Sequence, residues 1–62
     1  MPYVNIRVAG ELSSEQKEEM CQGVTEVIAR VANKPPSSIL IFIDECDREN
    51  ISSGGVLLAK NK

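Results

Sequence analysis

Ile39-Leu40-Ile41-Phe42-Ile43 is an unbroken apolar run. A strand of this kind is buried on both faces, as in a parallel sheet, whereas a half-exposed strand alternates. The chain has only 62 residues, and its pattern holds one long helix, which can cover one face of a small sheet. A chain of this length buries only about 60% of the surface that it exposes when unfolded. Small folds make up the deficit with disulfides, a metal or self-association. Two Cys and no His leave at most one disulfide and none of the common zinc patterns. The expectation is therefore that other subunits complete and cover the sheet.

The rest of the pattern gives an α/β subunit of the βαβ type. Tyr3 to Val8 alternates, with Val4, Ile6 and Val8 on one face and Tyr3, Asn5 and Arg7 on the other, which predicts a strand ended by Gly10. Ser13 followed three residues later by Gln16 predicts a helix N-cap with a capping box. Met20, Val24, Val27, Ile28 and Val31 recur at three- and four-residue spacing and predict a helix to about Ala32. Gly23 interrupts it, marking either a close backbone neighbour or a tolerated defect. Asn33 suits a left-handed C-cap, and Pro35-Pro36 cannot continue the helix. Strand, helix and strand then make one unit with a right-handed crossover. Asp44 to Asn50 reads as a solvated charged loop. Gly54-Gly55 reads as a tight turn, and Val56 to Ala59 as a short apolar arm that pairs with a neighbouring subunit. There is no repeat or linker, so residues 1–62 are expected to form a single domain.

Charge and composition exclude further classes. The net charge of −2 disfavours nucleic acid and anionic membrane surfaces as partners. Tyr3 and Phe42 are the only aromatic residues, too few for a base-stacking platform. The longest apolar run falls far short of a membrane span. No basic-then-apolar leader precedes the first strand, so a cytoplasmic location is expected.

Without His the common Ser-His and Cys-His nucleophile pairs are missing, and no phosphate-binding glycine loop is present. Cys21 reads as a small core residue, and the acidic neighbours of Cys46 argue against a reactive thiol. Asp44, Glu45 and Asp47 match no standard metal loop. No metal and no cofactor are expected. Pro2 offers acid–base chemistry without His. If Met1 is removed, the Pro2 nitrogen becomes a secondary amine. An α-amino group titrates at about 7.7–8.0, and an apolar pocket lowers that value by disfavouring the ammonium. A general base works best near the operating pH. Taken alone, residue 2 is more simply read as an ordinary, inert N-terminal Pro.

Met1-Pro2, the alternating strand, Ser13-Ser14-Glu15-Gln16-Lys17, Pro35, Ile39 to Ile43, Asp44-Glu45 and Gly54-Gly55 occur in one order across nearly the whole chain. In that order and at this length the chain resembles the 4-oxalocrotonate tautomerase family. The resemblance implies a βαβ subunit with a C-terminal hairpin, assembled as a homohexamer (a trimer of dimers). It implies Pro2 as the catalytic base in keto–enol proton transfer on a small-molecule enol or keto substrate. Three positions depart from the family pattern. Leu12 and Leu40 stand where the best-known members carry substrate-holding Arg, and Ile51 stands where they carry an aromatic residue. Each lost charge-assisted contact is worth about 1.5–3 kcal/mol. A pocket lined by Leu12, Leu40 and Ile51 suits a smaller or more apolar enol, such as an aryl pyruvate enol, better than a dicarboxylate. Arg7 and Arg48 are the candidate replacement cations, with a surface charge as the alternative for each. A non-catalytic assembly or binding protein of the same fold, or one subunit of a mixed oligomer, is the rival reading.

Overall fold

Strand β1 (Tyr3–Ala9) and strand β2 (Leu40–Cys46) lie parallel, joined by helix α1 (Ser14–Ala32). A two-residue hairpin, β3 (Ser52–Ser53) and β4 (Val56–Leu57), follows β2. The computed structural model describes residues 1–60. Tyr3 lies beside Leu40, and Ala9 beside Cys46. The ladder is extended at both ends: Leu40 N–H donates to the Pro2 carbonyl at 3.0 Å, and Gly10 N–H donates to the Cys46 carbonyl at 2.8 Å.

Both ends of α1 follow their local chemistry. Ser13 Oγ accepts from Gln16 N–H at 3.1 Å, and Gln16 Oε1 accepts from Ser13 N–H at 2.9 Å. The helix ends at Asn33, which is left-handed at φ 56°. Losing a Ser cap costs about 0.5–2 kcal/mol. Ser13→Ala is therefore expected to lower the unfolding free energy by that amount, read as a lower urea midpoint at unchanged m and fixed protein concentration, with Ser13→Asp close to wild type.

In-register parallel pairing sends alternate residues to opposite faces. Val4, Ile6, Val8, Ile41 and Ile43 share one face and are half-buried. Tyr3, Asn5, Arg7, Leu40, Phe42 and Asp44 share the other. Tyr3 and Phe42 meet edge to face with ring centroids 6.3 Å apart, yet they are 69% and 52% exposed. Among the described residues, Ile39 alone is a buried hydrophobic residue, and no side chain is fully buried. The radius of gyration is 14.8 Å, whereas a compact chain of this length has about 10.6 Å. One protomer thus presents half a sheet with an uncovered face.

Three local expectations need correction. The second strand begins one residue later than the apolar run and continues through Asp44, Glu45 and Cys46, which are not loop. Their backbone pairs with Arg7, Val8 and Ala9, and ladder pairing outweighs their low strand propensity. The arm is a strand only over Val56–Leu57, and it pairs with Ser52–Ser53 of its own chain; Leu58–Lys60 forms a 3-10 turn. Gly54 and Gly55, at φ 60° and 84°, give the two left-handed residues that this hairpin turn requires. Of the helix stripe, Val27 and Val31 remain exposed, and a Cβ at Gly23 would meet nothing within 4 Å, so no backbone closes on Gly23 within the protomer. No helix among the described residues is long and apolar enough to cross a membrane.

Candidate active site

The candidate residues fall at two ends of the sheet. Pro2 is half-buried at the start of β1, beside Leu40, whose N–H its carbonyl accepts. Ile39, 8% exposed, precedes Leu40 and makes this end apolar.

Leu12 belongs to the other end. Its N–H donates to Glu45 Oε2 at 2.8 Å, and Glu45 lies next to the last residue of β2. A strand advances about 3.3 Å per residue, so the length of β1 holds Leu12 and Pro2 of one protomer roughly 20 Å or more apart. Ile51 also lies beyond the end of β2. Its N–H donates to the Arg48 carbonyl at 3.4 Å, and its own carbonyl accepts from Leu58 N–H at 2.9 Å. One protomer therefore does not bring Leu12, Leu40 and Ile51 together around Pro2.

The two arginines differ in occupation. Arg7 lies on the uncovered face and pairs with Asp44 at 3.4 Å, with the Asn5 amide donating to the same Asp44 oxygen at 3.4 Å. Arg48 follows Asp47, whose carboxylate caps a 3-10 turn by accepting Glu49 N–H at 3.0 Å. Its guanidinium lies against Gly10: a Cβ there would sit 3.7 Å from Arg48 Nη2. Arg48 lines a cavity of about 500 Å³ with Gly10, Glu11, Cys46, Asp47 and Ala59, which Glu45 also borders. Cys46 and Cys21 are free thiols, both half-buried.

Glu45 holds this end together. One carboxylate oxygen accepts from Leu12 N–H, and the other meets Lys17 Nζ at 2.8 Å. Strand β2 is thereby tied to the loop before α1 and to the helix's first turns. The Lys17 ammonium, and then the Leu12 N–H, hold the Glu45 carboxyl below its ordinary pKa. A depressed carboxylate pKa contributes stability that is present above the unfolded pKa and lost as pH falls through the folded one. The stability difference between wild type and Glu45→Gln is therefore expected to persist at neutral pH. It should begin to shrink as pH falls below the ordinary glutamate value of about 4.3 and vanish only below the lowered folded value, as read from urea midpoints across pH. The role was open to reading from sequence: continuing the alternation of Ile41 and Ile43 by two residues puts Glu45 on the helix side of β2.

A parallel β1–α1–β2 unit with a terminal hairpin, opening on an uncovered sheet face and carrying Pro at residue 2, defines the fold. The family model described as "Tautomerase enzyme" matches residues 2–61. A Helicobacter pylori (strain 26695) protein described as a probable tautomerase is 38% identical over 58 residues, covering 89% of this chain and 85% of that protein. The crystal structure of DmpI from H. pylori has a TM-score of 0.83 at 34% identity, covering 94% of this chain and 91% of that one. A heterohexamer 4-oxalocrotonate tautomerase from Chloroflexus aurantiacus shares the fold, at TM-score 0.88 and 22% identity over the full length of both chains. The chain belongs to the tautomerase family. That membership makes an isomerase the class of enzyme it represents.

Proposed function

We propose that this protein is a keto–enol tautomerase with Pro2, freed by removal of Met1, as its general base. The observation that carries the reading is Pro2 itself: the family match begins at residue 2, and Pro2 sits half-buried at the apolar end formed with Ile39 and Leu40. Met1 is 73% exposed and open to removal from the protomer. The neutral pyrrolidine nitrogen accepts the enol O–H proton, and the pyrrolidinium then delivers a proton to the adjacent enol carbon. No metal or cofactor is needed for that step.

The site is shared between copies of the chain. Leu40 stays with Pro2, while Leu12 and Ile51 come from the far end of another protomer. The separation of the two ends supports this arrangement, and the uncovered sheet face supports self-association. A hexamer agrees with the assembly named for the Chloroflexus aurantiacus relative. Because that relative is a heterohexamer, a mixed oligomer is the second reading. Leucines at positions 12 and 40 favour an apolar aryl enol acid over a dicarboxylate.

The test is ketonisation of phenylenolpyruvate by the processed protein and by Pro2→Ala, with the N-terminus of each verified by intact mass. Equal rates would remove Pro2 as the base. Full retention of Met1 in the native host would leave an amide nitrogen and favour a non-catalytic assembly.

A further inference from the structure

We propose that Arg48 is the residue that holds the substrate's carboxylate, in the cavity at the C-terminal ends of β1 and β2, and that Pro2 of a second copy completes this site. The inference rests on the reading of Pro2 as base and adds the residue that meets the single carboxylate of an apolar enol acid.

Four observations converge on Arg48. Arg7 is already engaged by Asp44, whereas no ion pair among the described residues involves Arg48. Arg48 is the sole cation among the residues lining its cavity. The cavity's volume of about 500 Å³ lies within the range of small-molecule sites. The guanidinium is also positioned: the Asp47-capped turn fixes its backbone, and it lies against the end of β1 at Gly10, where a Cβ would be in ordinary van der Waals contact with it at 3.7 Å. A planar guanidinium held in this way offers a carboxylate two parallel N–H donors.

The acidic residues around the cavity set the specificity. Glu45 is occupied by Lys17 and Leu12 N–H, and Asp47 by Glu49 N–H. Glu11 makes no such contact among the described residues, and it faces an incoming anion together with the remaining charge of Asp47. One arginine balances one carboxylate; a second carboxylate would meet acidic neighbours with no cation to offset them. The base must come from elsewhere, because Pro2 of the same chain lies beyond the opposite end of β1.

The experiment uses the assembled, Met1-processed protein with two substrates. One is phenylenolpyruvate, and the other is the enol of phenylacetaldehyde, the same aryl enol without its carboxylate. Arg48→Gln is expected to raise KM for the acid about tenfold or more, with kcat near wild type and KM for the neutral enol unchanged. Arg48→Lys should recover part of the loss, and Arg30→Gln on the helix should change neither substrate. An unchanged KM for the acid, or an equal rise for both enols, would overturn the assignment. Full activity of Pro2→Ala would instead overturn the reading beneath it. Subunit exchange between Pro2→Ala and Arg48→Gln proteins, assayed with phenylenolpyruvate well below its KM, is expected to raise kcat/KM above that of either parent. No rise would mean that base and cation belong to one copy, and would defeat the shared site.

Discussion

Pro2→Ala in the processed protein is expected to slow enol ketonisation by about two orders of magnitude, and retention of Met1 by up to about four. General acid–base catalysis contributes about 10²–10⁴-fold, and the two changes remove different shares of it. Ala at residue 2 still presents an α-amine, so a weaker and less restrained base remains. Retained Met1 converts the Pro2 nitrogen to an amide, which has no basic lone pair, and the whole contribution is lost. The pH profile separates these cases. With processed protein, kcat/KM should fall on the acid side as the amine protonates, with a midpoint below the ordinary α-amino value of about 7.7–8.0, because burial disfavours the ammonium. The Met1-retaining form should lack that limb. Stopped-flow decay of the enol, followed in the ultraviolet, measures both.

The sequence pattern carried the helix in detail, because its ends depend on contacts within a few residues. Ser13 with Gln16, and Asn33 ahead of Pro35, are sufficient causes, and both ends fall where that local chemistry puts them. β2 was harder to bound. Asp44, Glu45 and Cys46 look like loop in isolation, and only the partner strand, supplying backbone groups from Arg7 to Ala9, makes them strand. The candidate site divides in the same way. Pro2 and Leu40 are legible as neighbours once two parallel strands are expected. The occupation of Arg7 by Asp44 is not, because it follows from pairing between residues 37 positions apart. Neither is the lack of an ion pair at Arg48 among the described residues, because Glu45, which borders its cavity, is taken by Lys17 of the helix.

Phe42→Asp is expected to dissociate the assembly and, with it, most of the ordered structure. The protomer supplies little core of its own: Ile39 is 8% exposed, while Tyr3, Leu40 and Phe42 on the open sheet face are 69%, 40% and 52% exposed. The chain measures 42 × 24 × 13 Å, a slab only about one sheet and one helix thick. Its stability is therefore inseparable from association, and the wild-type Tm should rise with protein concentration. A carboxylate in place of the Phe42 ring must be desolvated on the covered face, where Arg7 is already paired with Asp44, at a cost of several kcal/mol, and the interface repeats that cost in each copy. Sedimentation of Phe42→Asp at micromolar concentration should give a monomer, and far-UV circular dichroism should show loss of most of the α1 signal. Phe42→Leu, which keeps the face apolar, should remain assembled. A folded, monomeric Phe42→Asp would mean that the two-stranded sheet and one helix suffice alone. It would also remove the second copy from the site, because a stable monomer keeps Pro2 and Arg48 at opposite ends of β1.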